Sequence, residues 1–256
     1  MAGPLPGNAR WRWAAASKIG TSHLRLGTRK QDAFRVSRQG KDSLCAVVSD
    51  GAGSASHGGQ GASLVCRWLT ANAKQWLLTH DRLPDDEQVL CWVDDLRDRL
   101  SDIAAKRDVT RRQFAATLVM LIAHQGELLA LQVGDSALVA RKHGAWEAIC
   151  WPENGEFAST TYFVTDDPTV RLRTYRLPLE YDAFALFSDG LDSVALEHLS
   201  QQPYPRFLDP MIKPVDLAMG HGRLRELSTA LSRYLESPGL CERTDDDKTL
   251  ILISRQ

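Results

Sequence analysis

Residues 114–141 read FAATLVMLIAHQGELLALQVGDSALVAR, and this stretch decides the fold. It contains three apolar runs of strand length, Phe114–His124, Leu128–Val133 and Ala137–Arg141. Only the short polar turns QGE and GDS separate them. Strands joined by turns of this length pair as antiparallel neighbours. The stretch therefore predicts an antiparallel sheet with a buried centre.

Strand and helix patterns continue on both sides of this stretch. Before it, a polar turn joins two short strand-like runs, and apolar residues then recur every three or four positions along two longer segments. The predicted elements are strands at Ala33–Arg38, Leu44–Ser49, Ala183–Ser188 and Thr249–Ile253, and helices at Gly59–Leu78, Asp85–Arg107 and Leu224–Leu235. We expect the last strand to insert into an existing sheet, and the proline-rich segment Pro203–Pro214 to be a loop or a surface excursion.

Strands joined by hairpins and interrupted by helix pairs are typical of an α+β protein rather than of a regular strand-helix alternation. We therefore predict a sandwich of two mainly antiparallel β-sheets flanked by α-helices, in α-β-β-α layers. The sequence contains no internal repeat, low-complexity tract or obvious linker. Residues 1–256 are accordingly predicted to form a single domain.

The composition disfavours several classes of protein. The 256 residues include 31 Lys and Arg against 32 Asp and Glu, a formal charge of −1, so bulk attraction to nucleic acid or to a membrane is not expected. No run reaches the roughly 20 apolar residues of a membrane-spanning helix. Five scattered cysteines without a Cys-x-x-Cys pair disfavour a disulfide framework or a zinc site. Because the amino-terminal segment lacks a secretory pattern, we expect a cytoplasmic protein.

Aspartates follow apolar runs at three places, and a fourth acidic cluster precedes the last strand. Asp50-Gly51, Gly134-Asp135 and Asp189-Gly190 end predicted strands, and Asp245–Asp247 leads into the final one. A single Asp-Gly pair is more often a turn than a site, because glycine adopts positive φ and aspartate caps its own turn. Several carboxylates meeting at one edge would repel one another unless cations lay between them. Oxygen ligands suit Mg²⁺ or Mn²⁺, so the pattern favours a divalent metal site.

The motifs that carry these aspartates resemble, in order and spacing, a known family, the metal-dependent protein phosphatases of type 2C, or PPM family. The similarity extends over nearly the whole chain. The matching motifs are Gly20–His23 with Gln31–Ala33, Ser49–Gly53, Gly134–Ser136, Ser188–Leu191 and Asp246–Thr249. Two further stretches, Gly58–Ala62 and Gly155–Ala158, look most like a compact bacterial branch of stand-alone phosphatases.

This resemblance implies a serine/threonine protein phosphatase that hydrolyses phosphoester bonds by attack of a water or hydroxide bridging two Mg²⁺ or Mn²⁺ ions. The catalytic residues that it implies are Asp32, Asp50 and Asp189, with Asp32 orienting the water or accepting its proton. The implied metal ligands are Asp50, bridging both ions, the carbonyl of Gly51, Asp189 and Asp246, with Asp135 helping to hold a third ion. The implied partners are phosphorylated proteins, among them a Ser/Thr kinase.

The chain departs from the family pattern near the expected phosphate site. Gln31 stands where many relatives have glutamate, Gly27 replaces the usual arginine, and Ala52 takes the place of a histidine found in some relatives. A phosphate with a charge of about −1.5 to −2 calls for a cation beside the metals. Arg29 is the first candidate for this contact and Arg25 the second.

Other functions deserve comparison with this reading. A catalytically inactive relative could act as a binding or scaffold module, and an active one could prefer small phosphate esters. The complete acid set favours an active enzyme. Cys91 and Arg97 have the spacing of a thiol phosphatase, but the residues between them include no glycine and two aspartates, which disfavours an anion cradle. Asp245-x-Asp247-x-Thr249 imitates an aspartyl-phosphate motif, but its position before the last predicted strand is not the one expected in a nucleotide-type sheet.

Overall fold

The computed structural model describes residues 11–40, 42–153 and 161–255, and two β-sheets packed face to face form its centre. The strands are β1 (Trp11–Lys18), β2 (Ala33–Gln39), β3 (Ser43–Ser49), β4 (Leu118–His124), β5 (Glu127–Val133), β6 (Ala137–Lys142), β7 (Ala145–Cys150), β8 (Arg173–Pro178), β9 (Ala183–Phe187), β10 (Leu196–Glu197), β11 (Gln202–Pro203), β12 (Gly222–Arg223) and β13 (Lys248–Arg255). One sheet has the order β12-β1-β13-β9-β6-β7, and the other β2-β3-β4-β5-β8. Neighbouring strands are antiparallel, apart from β1 and β12, and β10 and β11 form a separate ribbon.

Helices cover the outer face of each sheet. They are α1 (Thr21–Leu26), α2 (Gly58–Thr79), α3 (Asp86–Ala105), α4 (Asp192–Ala195), α5 (Pro205–Leu217), α6 (Arg225–Leu235) and α7 (Pro238–Cys241), with 3₁₀ turns at Arg111–Phe114 and Asp189–Leu191. The long helices α2 and α3 pack beside the sheet that contains β3, and α5 and α6 pack beside the sheet that contains β1. The Asp85 carboxylate starts α3 by accepting a hydrogen bond from the backbone N–H of Gln88 at 2.9 Å.

Three apolar cores hold these layers together, because the central strands are apolar on both faces. In β3, Leu44 and Val48 belong to the core between the sheets, whereas Val47 belongs to the core beneath α2 and α3. In β13, Ile251 lies in the central core and Leu250 in the core beneath α5 and α6. Side chains of a strand alternate between faces, so one strand serves two cores. The predicted α-β-β-α sandwich is confirmed.

The predicted hairpin of β2 and β3 is present, and the final strand inserts between β1 and β9 as expected. The GDS turn, however, was wrongly expected to form a hairpin. Strand β5 pairs with β4 and β8, whereas β6 pairs with β7 and β9 in the opposite sheet. Gly134, at φ +89°, and the buried hydroxyl of Ser136, 3.1 Å from Thr117 Oγ1, turn the chain from one sheet to the other.

Other boundaries and elements also differ from the prediction. Strand β4 begins at Leu118 rather than Phe114, because Phe114 ends a 3₁₀ turn and Ala116 forms only an isolated bridge with Gly51. Strands β1, β7 and β8 were not predicted. The segment expected to be a loop contains α5, whose buried Phe207, Leu208, Ile212 and Val215 pack on the sheet despite two internal prolines. The stretch 155–158 and the turn residue Lys41 lie outside the described residues. None of the helices among the described residues is long and apolar enough to cross a membrane.

The packing of α2 on the segment before β4 leads to a test of this fold. An added Cβ at Gly61 would lie 2.1 Å from the carbonyl oxygen of Phe114. Alanine normally favours a helix over glycine, yet we expect Gly61→Ala to lower the free energy of unfolding by roughly 1–3 kcal/mol, as overpacking does. Urea denaturation measures the change. Gly239→Ala is the control, since no atom lies within 4 Å of the added Cβ. Equal stability of the two variants would contradict the close packing.

Candidate metal centre

Predicted acidic turns from different strands meet at one edge of the sandwich. Asp50 follows β3, Asp189 follows β9, Asp246 precedes β13, and Asp135 lies at the crossover between β5 and β6. Together they line a cavity of about 740 Å³. The aspartates that line it are Asp50, Asp135, Asp166, Asp189, Asp192 and Asp246. The structure therefore brings the predicted carboxylates into one place.

The Asp50 turn is fixed by the segment before β4. The backbone N–H of Asp50 donates to Thr117 Oγ1 at 3.0 Å, and the N–H of Thr117 donates to the Asp50 carbonyl at 2.8 Å. Gly51 forms an isolated bridge with Ala116 and also lines the cavity. A Cβ at Gly51 would lie 2.2 Å from the backbone of Gly58, so only glycine allows this approach. The turn is thus held rigidly at the cavity.

Asp32 is buried beside this turn and is firmly oriented. Its Oδ2 accepts hydrogen bonds from Ser188 Oγ at 2.7 Å and from Thr249 Oγ1 at 2.6 Å. Its Oδ1 is buried and has no hydrogen-bond partner among the described residues. The charge of Asp32 raises the pKa of Asp50, beyond the larger effect of burial, so the two carboxyl groups are neighbours. Burial raises the pKa of Asp32 to about 6, although the two hydroxyl donors oppose the shift.

Asp247 joins the amino-terminal segment to the last strand. Its Oδ1 accepts from the N–H of Gly20 at 2.7 Å, and its Oδ2 accepts from the N–H groups of Gln31 at 2.5 Å and Asp32 at 3.2 Å. His23 Nδ1 lies 3.1 Å from Asp247 Oδ1, and His23 Nε2 lies 3.8 Å from Asp246 Oδ1. His23 belongs to the motif Gly20–His23 singled out in the sequence, and it lines the cavity.

The carboxylates of the cavity raise one another's pKa. Burial raises the pKa of Asp50 well above its usual range, and the charges of Asp32 and Asp189 raise it further. For Asp189, burial and the neighbouring charges of Asp135 and Asp246 raise the pKa to about 7. Burial also raises the pKa of Asp135. Without cations, the cavity therefore disfavours full ionisation of these groups.

Several carboxylate oxygens in the cavity, and that of Asp32 beside it, are buried without a hydrogen-bond partner among the described residues. They are Oδ1 of Asp32, Asp135, Asp189 and Asp192. Buried polar atoms in native proteins nearly always have partners, and a bound ion supplies the partner at a metal site. An all-oxygen set of hard anionic donors fits Mg²⁺ or Mn²⁺. The residues present therefore fit divalent ions.

Asp192 was missed by the sequence reasoning. It lies three residues after Asp189, at the start of α4, and burial together with the charges of Asp189 and Asp135 raises its pKa to about 9. The available signal was the Asp189-Gly-Leu-Asp192 spacing, which places a second acid one helical turn after the first.

The arginines predicted to bind phosphate are not brought into the cavity. Arg25 is exposed and forms an ion pair with Asp245 at 2.7 Å, and Arg29 is exposed on the same segment. Neither residue lines the cavity, whereas Arg112 does. Two departures from the family pattern contact each other, because Gln31 Nε2 donates to the Ala52 carbonyl at 3.2 Å.

The other phosphatase motif considered in the sequence does not form a site. Cys91 is exposed on α3 and is not in a disulfide. Arg97 contacts Asp94 at 3.4 Å, Asp167 at 3.2 Å and the Asp166 carbonyl at 2.8 Å. Its guanidinium is therefore committed to neighbouring oxygens rather than to an anion beside the thiol.

Comparisons with known proteins agree with this geometry. Residues 19–236 match the family described as Protein phosphatase 2C. The chain is 33% identical over 247 residues to "Serine/threonine-protein phosphatase 3" of Escherichia coli (strain K12), covering 94% of this chain and 97% of that protein.

Solved structures show the same fold. PppA, described as "a key regulatory component of T6SS in Pseudomonas aeruginosa", superposes with a TM-score of 0.66 at 22% identity, covering 97% of this chain and 100% of that one. The serine/threonine phosphatase Stp1 from Staphylococcus aureus superposes with a TM-score of 0.65 at 16% identity, covering 99% and 98%. At these identities the superpositions support the fold class alone.

The electrostatics of the cavity predict how the metal-free protein responds to pH. The folded-state pKa of Asp192, about 9, exceeds the usual value of a carboxyl, so its unfavourable contribution grows as the pH rises between those values. Asp192→Asn removes that contribution. In chelator, we expect the melting temperature of Asp192→Asn to exceed that of the parent protein, by more at pH 8 than at pH 5. Asp95→Asn is the control, because Asp95 is exposed on α3. A difference that does not change with pH would contradict this account.

Proposed function

Since the chain belongs to the protein phosphatase 2C family and is a serine/threonine phosphoprotein phosphatase, we propose which of its residues perform the reaction. Asp50, the Gly51 carbonyl, Asp189 and Asp246 hold two divalent ions, Mn²⁺ or Mg²⁺. Asp135 and Asp192 are both ligands of a third ion. The observation that carries this proposal is the set of buried carboxylate oxygens without partners around one cavity.

Bound ions would explain why the fold gathers carboxylates that otherwise repel one another. Bound divalent cations supply Lewis-acid chemistry, lowering the pKa of water and offsetting the charge of phosphate. The protein's task is to hold its ligands at fixed positions. Two hydrogen bonds between Asp50 and Thr117 serve this purpose, one from the Asp50 N–H to Thr117 Oγ1 and one from the Thr117 N–H to the Asp50 carbonyl. The His23 ring lies beside two of these acids, with Nε2 3.8 Å from Asp246 Oδ1 and Nδ1 3.1 Å from Asp247 Oδ1.

Asp32 has the properties of a proton-accepting group. The hydroxyls of Ser188 and Thr249 fix its Oδ2, which leaves Oδ1 free to take a proton or to orient water next to Asp50. A pKa raised by burial brings the carboxyl closer to neutral pH than an exposed aspartate, which favours proton transfer. We propose that Asp32 acts from Oδ1.

Phosphorylated proteins are the substrates, and we propose a Ser/Thr kinase among them. The whole chain, residues 1–256, is proposed to act as one phosphatase domain, which the core shared by both sheets supports. A cytoplasmic location is consistent with the five cysteines, none of which is in a disulfide.

Removal of the metal tests the proposed chemistry. We expect phosphate release from phosphoserine and phosphothreonine peptides to require added Mn²⁺ or Mg²⁺, and to disappear with chelator, because no side chain serves as nucleophile. Alkylation of the exposed Cys91 should leave the rate nearly unchanged. Full activity in metal-free buffer, or complete loss on alkylation, would reject the mechanism.

Asp50→Asn tests the position of the centre. We expect turnover to be abolished while the melting temperature of the metal-free protein stays the same or rises, because one of several repelling carboxylates is removed. Asp189→Asn should behave in the same way. Asp245→Asn is the matched control, since Asp245 is exposed and pairs with Arg25 instead of lining the cavity. Near-normal turnover of Asp50→Asn would place the metal centre elsewhere.

A further inference from the structure

Arg112 is the cationic side chain at the edge of the cavity that holds the aspartates. Among the described residues that line this cavity, it is the one lysine or arginine, beside six aspartates. We propose that the Arg112 guanidinium binds the phosphate of the substrate, in the role that the sequence suggested for Arg29 or Arg25. This inference rests on the proposed function, because it assigns the substrate contact of the same site.

The backbone that carries Arg112 is held against the Asp50 turn. Arg112 lies in the 3₁₀ turn Arg111–Phe114, whose last residue is buried. On either side of that turn's end, the Gln113 carbonyl accepts from the N–H of His57 at 2.9 Å, and the Ala115 carbonyl accepts from the N–H of Ala52 at 2.9 Å. The position of Arg112 relative to Asp50 is therefore fixed by hydrogen bonds to the loop that follows Asp50.

Neighbouring arginines are already used, whereas Arg112 is available. Arg111 forms an ion pair with Asp167, and Arg97 contacts the same carboxylate at 3.2 Å. Arg107 donates a hydrogen bond to the Gln60 side chain. Arg112 is exposed, and within the described parts of the chain its side chain forms no ion pair or hydrogen bond, not even with Asp166, which lines the same cavity. A guanidinium left without a carboxylate partner in so acidic a cavity is free to bind an anionic ligand.

Arg112 also marks the point where the cavity continues into a second depression. This groove, of about 610 Å³, is lined by Arg112 and Asp166 together with residues that include Tyr162, Thr165 and Arg171. A phosphorylated side chain that enters the cavity would leave its flanking peptide in the groove. Arg112 lines both the cavity and the groove, so its fork is placed to bind a phosphate that enters the cavity while the peptide occupies the groove.

The chemistry of the ligand follows from the charges. Ionised aspartates are acceptors only and repel a phosphate dianion, so the carboxylates themselves cannot hydrogen-bond to its oxygens. A guanidinium presents several N–H donors in a plane and can bind two phosphate oxygens at once. The substrate group that fits is therefore the phosphomonoester itself, whatever alcohol carries it.

The experiment compares Arg112→Ala, Arg112→Gln and Arg112→Lys with Arg25→Ala and Arg29→Ala, two exposed arginines outside the cavity. Each variant is assayed at saturating Mn²⁺ with a phosphothreonine peptide and with p-nitrophenyl phosphate. Binding of inorganic phosphate to the Mn²⁺-loaded protein is measured by calorimetry, which does not depend on turnover. The Mn²⁺ concentration at half-maximal activity and the melting temperature report on the metal centre and the fold.

We expect Arg112→Ala and Arg112→Gln to lower kcat/KM for both substrates by about ten- to a hundredfold, the range of a hydrogen bond to a charged group. Phosphate binding should weaken in parallel. Arg112→Lys should retain part of both, because it keeps the charge but loses the fork. Mn²⁺ dependence and melting temperature should not change, and the Arg25 and Arg29 variants should behave as the parent protein.

Three results would overturn the proposal. Unchanged phosphate binding in Arg112→Ala would show that another group holds the phosphate. A loss with the peptide alone, and not with p-nitrophenyl phosphate, would show that Arg112 contacts the peptide rather than the phosphate. An equal loss in Arg29→Ala would restore the earlier candidate. Absence of metal-dependent turnover in the parent protein would instead refute the proposed function, and the calorimetric comparison would still decide the role of Arg112.

Discussion

The mutual repulsion of buried carboxylates is the constraint on which the structure depends. Beyond the effect of burial, the charges of Asp32 and Asp189 raise the pKa of Asp50, and the charges of Asp135 and Asp246 raise the pKa of Asp189. Charges placed this way cost free energy unless cations compensate them. The fold therefore concentrates an unfavourable interaction at one edge of the sandwich, and the stability of the remaining layers must hold it there. Three apolar cores, shared by strands that are buried on both faces, supply that stability.

Backbone contacts, more than side-chain packing, keep the acidic turns at their positions. The Asp247 carboxylate binds three backbone N–H groups of the amino-terminal segment, and so fixes Asp32 relative to the last strand. The backbone at Gly190 also packs closely against the Asp247 carbonyl. A Cβ at this position would lie 1.9 Å from the carbonyl oxygen, so the contact requires glycine. Chain segments more than 200 residues apart in sequence thereby meet at one site. Without these hydrogen bonds and close backbone contacts, the ends of the strands would not hold their carboxylates at fixed positions.

Local patterns predicted much of this, and the failures have physical reasons. The apolar run of β3, the helical spacing of α2 and the Asp-Gly turns are local signals. The sandwich and the convergence of Asp50, Asp135, Asp189 and Asp246 were predicted from them. Whether the GDS turn stays within one sheet depends on which partners β6 finds, namely β7 and β9, and turn length carries no information on that choice. The helix α5 forms because burial against the sheet outweighs its two prolines. The free guanidinium of Arg112 could not be foreseen, because it depends on which carboxylates its neighbours bind.

The basic amino-terminal segment illustrates the same dependence on partners. Arg29 and Arg25 of this segment were the sequence candidates for the phosphate contact, yet the structure pairs several of the segment's cations with oxygens of the protein itself. Lys30 Nζ donates to the Asp32 carbonyl at 2.8 Å, Lys18 pairs with Glu236 at 2.6 Å, and Arg25 pairs with Asp245. Burial lowers the pKa of Lys30, although the charge of Asp32 opposes this shift. A cation that is already bound to the acidic framework stabilises the framework and is a poor ligand for a substrate. Lys18, Arg25 and Lys30 therefore pair with oxygens of the protein, whereas Arg112, where the cavity meets the groove, is the cation proposed to bind the substrate.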